Sequence, residues 1–380
     1  MIYFDNSATT KPYPEVLKTF TSVSERYFGN PSSLHSLGAE AERLLTQARE
    51  VISSILSVRP REVIFTSGGT EGNNLAIKGI ALQHQNRGKH LITTEVEHAS
   101  SYEIFQQLEK LGFDITYVPV DKHGLVSVED VKKAIRKETI LISMIHVNNE
   151  LGSVQPIEEI AKVVADHPKI HFHVDHVQGV TKVPLNLSMK GIDLCTISGH
   201  KFHGLKGTGV LYIREGVTLF PLMHGGVQEL QFRAGTENTA GIIALAKALR
   251  LSVEQSQKEI KKIEGLKRML IDELETLDGI VVNTSKEHSA PHIVNFSIVG
   301  VKPEVVIQAL TKKQIYVSTK SACSSKLAEP SRVLVAAGLG HERASSAIRV
   351  SFSFENEEVE LVEFVNVMKK ITPELLDVMR

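Results

Sequence analysis

Cysteine is scarce in this chain: its 380 residues hold two, Cys195 and Cys323. Two thiols exclude a disulfide framework and fit a reducing compartment. Excess charge is missing as well, with 43 Lys and Arg against 44 Asp and Glu. A formal net charge of −1 leaves no basic footprint for nucleic acid. No segment has the uninterrupted apolar length of a membrane span. The opening Met1-Ile2-Tyr3-Phe4-Asp5-Asn6 lacks the basic and apolar regions of a secretory signal. These absences lead to the expectation of a cytoplasmic protein that binds neither membrane nor nucleic acid directly. What is present, 42% hydrophobic and 23% charged residues, is ordinary globular composition, with length for one large domain and a smaller one.

Strand-like runs at Glu62–Thr66, His90–Glu95, Asp114–Pro119, Ile140–His146, Ile170–Asp175 and Asp193–Ser198 are separated by amphipathic segments such as Ser101–Leu111 and Ile157–Asp166. This alternation predicts an α/β fold with a mainly parallel sheet. From about Gly241 to Leu277 the pattern is helical, as one long helix or two. The runs after it (Ile280–Asn283, Ile293–Ile298, Glu304–Lys312, Ile315–Ser318, Ala347–Phe354 and a last helix) predict a compact α+β unit.

Lys201 is the most informative residue. It lies in Ser198-Gly199-His200-Lys201-Phe202-His203-Gly204, on a loop between the apolar strands Leu194–Ile197 and Gly207–Ile213, with Asp175 just upstream at another strand's end. A lysine can hold pyridoxal phosphate as an imine, while a carboxylate keeps the ring nitrogen protonated so that the ring draws electrons from a substrate's α-carbon. The phosphate needs an anion site, and Thr66-Ser67-Gly68-Gly69-Thr70, where a strand ends in two glycines and a helix starts at a hydroxyl residue, reads alone as an ordinary capped helix and together with Lys201 as that site. His98, after another strand, reads either as a solvated loop histidine or, because open α/β sheets bind ligands at the carboxyl ends of their strands, as an aromatic acid or base lying against the cofactor ring. His171, His173 and Asp175 share one strand face and could be drawn as metal ligands. Packed or hydrogen-bonded histidines are the commoner outcome there, and no metal is expected. Cys195 reads as a small buried hydrophobe, whereas Cys323, among small and polar residues, reads as exposed on a loop.

Beyond these segments the chain carries Phe4-Asp5-Asn6-Ser7-Ala8-Thr9-Thr10, Gly29-Asn30-Pro31-Ser32-Ser33-Leu34-His35, Val147-Asn148-Asn149-Glu150-Leu151-Gly152, Arg233-Ala234-Gly235-Thr236-Glu237-Asn238, Ser321-Ala322-Cys323-Ser324-Ser325 and Ile348-Arg349-Val350-Ser351. Taken together and in order, these motifs resemble the NifS/IscS-like cysteine desulfurases, class V aminotransferase relatives among the fold-type I pyridoxal phosphate enzymes, nearly end to end.

The resemblance implies a large cofactor-binding domain over residues 12–260, and a small α+β domain formed by residues 1–11 and 261–380 that carries the cysteine loop at about 319–330. It implies that Lys201 anchors the cofactor, Asp175 pairs with its ring nitrogen, His98 stacks on the ring, and Asn149 and Gln178 bond its phenolic oxygen. Gly69, Thr70, Ser198 and His200 would hold the phosphate. Thr236 would reach the cofactor of the other subunit in a homodimer. Arg349, with Asn149 beside it, would bind the substrate carboxylate through a planar two-point contact. Lys201 or His98 would take the α-proton of L-cysteine. Cys323, its ionisation assisted by Lys320, Lys326 or His98, would become the persulfide. L-Alanine would be the other product. The acceptor would be a protein, either an iron-sulfur scaffold, where clusters are assembled, or a tRNA-thiolation enzyme, with cofactor synthesis a further destination. The segment from Ser321 to Glu329 resembles the longer-loop group, in which loop motion delivers the sulfur.

Val227, His176 and Phe352-Ser353-Phe354 depart from the family pattern without touching this chemistry. The early end after the last helix leaves a scaffold and a dedicated acceptor equally open. Rival expectations are a selenocysteine lyase or a small-amino-acid aminotransferase of the same fold and, from another class, a non-catalytic sulfur-carrier or scaffold protein.

Overall fold

The computed structural model describes residues 1–319 and 329–379. Cys323, Lys320 and Lys326 lie outside the described residues, and so does most of the expected cysteine loop. A seven-stranded sheet runs in the order Val63–Thr66, Gly209–Ile213, Leu194–Ser198, His171–Asp175, Thr139–Ile145, His90–Thr94, Asp114–Val118. Gly209–Ile213 is antiparallel to both its neighbours and the other pairings are parallel. The strands are nearly continuous in buried residues, as expected of a sheet covered by helices on both faces. Because the parallel strands point one way, Thr66, Thr94, Ile145, Asp175 and Ser198 all end at one rim of the sheet.

A second core is built around the antiparallel strands Ile280–Val282, Ile293–Ile298 and Ala347–Ser351. The N-terminal strand Ile2–Tyr3 pairs in parallel with Ile315–Tyr316 on this side. Phe4 follows it into full burial, edge-on to Phe352 at 5.2 Å and Phe364 at 5.8 Å. Burying such a ring contributes about 2–3 kcal/mol. Thr239–Glu275 is one continuous helix of 37 residues that joins the two cores. Its first half buries Ile242, Leu245 and Leu249 against the large sheet, and its second half buries Ile263, Leu266, Leu270 and Leu274 in the second core.

The elements match the sequence pattern except at their ends. The long helix starts ahead of Gly241 because the Asn238 side chain caps it, accepting from Gly241 N at 3.1 Å. The expected strand to Phe354 stops at Ser351, since Ser353 N turns to the Asn356 side chain at 2.8 Å. The helix after the two glycines begins at Gly69 rather than at a hydroxyl residue, with Gly68 at φ +145° as its cap. Only glycine takes that conformation without strain. Gly209 lies alongside, where a Cβ would come within 2.7 Å of Gly68 Cα. Among the described residues no helix is long and apolar enough to cross a membrane.

Candidate active site

Five strand ends and the N-terminal segment enclose a cavity of about 690 Å³ open to solvent, lined by Ser7, Ala8, Gly69, Thr70, His98, Ser100, Asn149, Asp175, Gln178, Ser198, His200, Lys201 and Arg349 among others. Lys201 closes a single helical turn, Gly199–Lys201, after the strand Leu194–Ser198. Its Nζ donates to the carbonyls of Ser7 (2.5 Å) and Ala8 (2.9 Å).

Asp175 is buried at the end of the strand His171–Asp175. Its Oδ2 accepts from Asn73 Nδ2 at 2.7 Å and its Oδ1 from Val177 N at 3.0 Å. Burial raises the carboxyl above its usual range, opposed by these hydrogen bonds and by the Lys201 charge. Asn73 Nδ2 also donates to Ser100 Oγ at 2.9 Å, and Ser100 Oγ lies 2.8 Å from His98 Nδ1. A hydrogen-bonded chain therefore runs from Asp175 through Asn73 and Ser100 to His98. His98 caps the helix Ala99–Lys110 by accepting from Ser100 N at 3.1 Å. With Nδ1 an acceptor, the ring proton sits on Nε2. Burial first, then the charges of Lys201, Arg349 and Arg332, push the His98 pKa down to about 4, so the ring is neutral at physiological pH. Arg332 lies over the Tyr102 ring at 3.7 Å and donates to the carbonyls of Glu95 and Glu97, holding the His98 turn.

Arg349 is 1% exposed on the strand Ala347–Ser351. It donates to Asn149 O at 2.8 Å and to Asp5 Oδ1 at 3.0 Å. Its Nε is buried with no partner among the described residues. Gln178 donates to Ser7 O at 2.9 Å. The His200 ring faces Thr9 Oγ1 at 3.2 Å, and burial lowers its pKa to about 3.

This donor set fits pyridoxal phosphate. A lysine and a buried carboxylate face one cavity, and a glycine turn opening a helix lies beside them as an anion cradle. Asn149 Oδ1 and Ser7 Oγ, both on lining residues, are buried without partners among the described residues.

The structure thus brings Lys201, Asp175, His98, Asn149, Gln178, Gly69, Thr70, Ser198, His200 and Arg349 to one cavity. Thr236 does not line it and is exposed, and Cys323 lies outside the described residues. His173 is spoken for by Ser143 Oγ (2.8 Å) and Thr196 Oγ1 (2.9 Å), and among the described residues no cluster suited to a metal ion occurs. Cys195 is fully buried. Sequence reasoning missed Ser7, Ala8, Asn73, Ser100, Asp5 and Arg332. Asn73 lies one helical turn beyond Gly69, a spacing that places it on the cavity side.

A family model described as aminotransferase class-V matches residues 2–364. A NifS/IcsS protein homolog of Lactobacillus delbrueckii subsp. bulgaricus is 45% identical over 373 residues, covering 98% of this chain and 97% of that protein. A cysteine desulfurase IscS of Dictyoglomus turgidum is 43% identical over 375 residues, covering 98% and 95%. The solved structure of a NifS-like protein superposes with a TM-score of 0.93 at 36% identity, covering 98% of this chain and all of that one. A structure described as SspA in complex with cysteine superposes with a TM-score of 0.81 at 35% identity, covering 93% and 99%. The chain belongs to the class-V aminotransferase family of transferases, among its NifS/IscS-like cysteine desulfurases.

Proposed function

We propose that this cysteine desulfurase holds pyridoxal phosphate on Lys201, takes sulfur from L-cysteine, and leaves L-alanine and a persulfide on Cys323. The observation that carries the reading is the convergence of Lys201, Asp175, His98 and Arg349 on one cavity. When bound, the cofactor supplies an electron sink for the substrate's α-carbon.

When the cofactor is bound, Asp175, buried and oriented by Asn73, would pair with the ring nitrogen and His98 would pack against the ring. Asn149 and Gln178 would bond the phenolic oxygen, and Gly69, Thr70, Ser198 and His200 would hold the phosphate. Arg349 takes the substrate carboxylate. Its unpartnered Nε supplies one donor, and the bond to Asp5 opens to free the second. The Lys201 amine or the neutral His98 accepts the α-proton. The Cys323 thiolate attacks the substrate sulfur and the carbon–sulfur electron pair stays with carbon; one proton then completes the methyl group, and the α-carbon regains the proton that Lys201 or His98 took, giving L-alanine.

The two hydrophobic cores support a large domain over 12–260 and a small one formed by 1–11 and 261–380. Thr236, exposed and away from this cavity, serves the other subunit of a homodimer. The persulfide passes to a protein acceptor, an iron-sulfur scaffold or a tRNA-thiolation enzyme.

The test is L-alanine release from L-cysteine by cofactor-loaded protein with a thiol reductant, beside Cys323→Ala. Alanine from the wild type alone is expected. Equal release from both proteins would overturn the role of Cys323 and favour the lyase reading.

A further inference from the structure

Lys182 is only 8% exposed and has no part in the chemistry above. Its Nζ donates to the main-chain carbonyl of Lys201 at 2.9 Å, and among the described residues no carboxylate is bonded to it. Three successive carbonyls of the Lys201 turn are each met by a different segment. His200 O accepts from Thr10 N (2.9 Å) and Thr10 Oγ1 (3.0 Å), Lys201 O from Lys182, and Phe202 O from Ser252 Oγ at 2.7 Å. Of these donors only Lys182 is ionisable.

Burial alone brings its pKa down to about 8. The groups that face it are histidines. His176, His203 and His292 are each held below the ordinary value, first by burial and in part by the Lys182 charge, and are neutral at physiological pH. Behind it lies a second cavity of about 1310 Å³, lined by Lys182, His176, Thr181, Leu249, Val253 and Ser256 among others, with exposed Glu158 also on its wall. None of its lining residues lines the Lys201 cavity.

We propose that Lys182 is a positioning residue: its ammonium fixes the Lys201 carbonyl, and with it the placement of Lys201 Nζ, and it exchanges its proton through the rear cavity rather than the catalytic one. The inference rests on Lys201 being the cofactor's anchor. Below a pH of about 8 the donor is charged and the bond strong. Above it the neutral amine is the weaker donor and the turn loosens. An arginine keeps its charge throughout, and the rear cavity has room for its longer side chain.

The experiment uses cofactor-free wild type, Lys182→Arg, Lys182→Met and Lys201→Ala. Each is mixed with pyridoxal phosphate at pH values on both sides of 8, and the rate and affinity of the lysine-bound absorbance band are recorded. No substrate is present, so its thiol does not enter the profile. The ratio of the Arg variant to wild type is expected to be near one below a pH of about 8 and to rise above it. The Met variant is expected to be about tenfold weaker below that pH, the loss of one charge-assisted hydrogen bond, and to converge on wild type above it. Matching profiles for wild type, Arg and Met variants would overturn the proposal. Should Met disrupt folding, judged by its thermal unfolding, the Arg ratio alone decides, a flat ratio counting against Lys182. A missing band in wild type, or a normal one in Lys201→Ala, would instead overturn the reading of Lys201.

Discussion

On the front of the Lys201 turn each charged group is held by hydrogen bonds, and Arg349 by an ion pair as well. Lys201 Nζ rests on two carbonyls, Asp175 accepts two hydrogen bonds, and Arg349 is bonded to Asp5 and to Asn149 O. On the rear the same turn is backed by groups that are neutral or unmatched. The His146 and His176 rings meet Nδ1 to Nδ1 at 2.8 Å, and among the described residues His292 has no partner for either ring nitrogen and Lys182 has a carbonyl but no bonded carboxylate. The difference teaches that burial is managed in two ways at one strand end. The front keeps its charged groups by hydrogen-bonding them and, at Arg349, by pairing the guanidinium with Asp5. The rear removes charge by lowering histidine pKa values and leaves Lys182 as an ionisable contact to the Lys201 carbonyl.

Breaking the front has the largest expected effects. Lys201→Ala abolishes alanine release and the lysine-bound cofactor band, checked by amino-acid analysis and absorbance. Arg349→Lys replaces a forked guanidinium by a point charge and lowers kcat/KM for L-cysteine about 10- to 100-fold, chiefly through KM, the worth of one charge-assisted hydrogen bond. Asn73→Ala severs the chain between Asp175 and His98 and lowers kcat about tenfold with KM little changed, as steady-state kinetics would register.

Smaller effects sharpen the contrast. Glu97 is 1% exposed, bonded through Oε1 to Thr94 and Ile145 N, and burial pushes its pKa up to about 8. The unfolded carboxyl titrates near its ordinary 4.5. Between the two values unfolding releases a proton, so stability falls as pH rises through that window. Glu97→Gln should flatten this part of the Tm-against-pH curve. On the rear, His292→Leu removes an unpartnered buried imidazole and is expected to stabilise the protein by about 1 kcal/mol, measured by denaturant unfolding.

Lys201, Asp175 and His98 were legible because strand periodicity places each at a carboxyl strand end, where the fold gathers ligands. The turn that opens the helix at Gly69 was legible through its glycines. Contacts closed by tertiary folding were not. Asp5 meets Arg349 across 344 positions, and Ser7 and Ala8 reach Lys201 through carbonyls that carry no residue-type signal. Lys182 carries no signal in the sequence, and its burial and its bond to the Lys201 carbonyl emerge only in the fold. Element ends slipped for a similar reason: Asn238 and Asn356 act through side-chain caps that hydrophobic periodicity does not register.

The most direct test of the central claim is the mass of the Cys323 peptide after cofactor-loaded enzyme meets L-cysteine without a reductant. The account predicts one added sulfur on Cys323, removed by a thiol and absent from Lys201→Ala. An unmodified Cys323 in protein that has released alanine would contradict it.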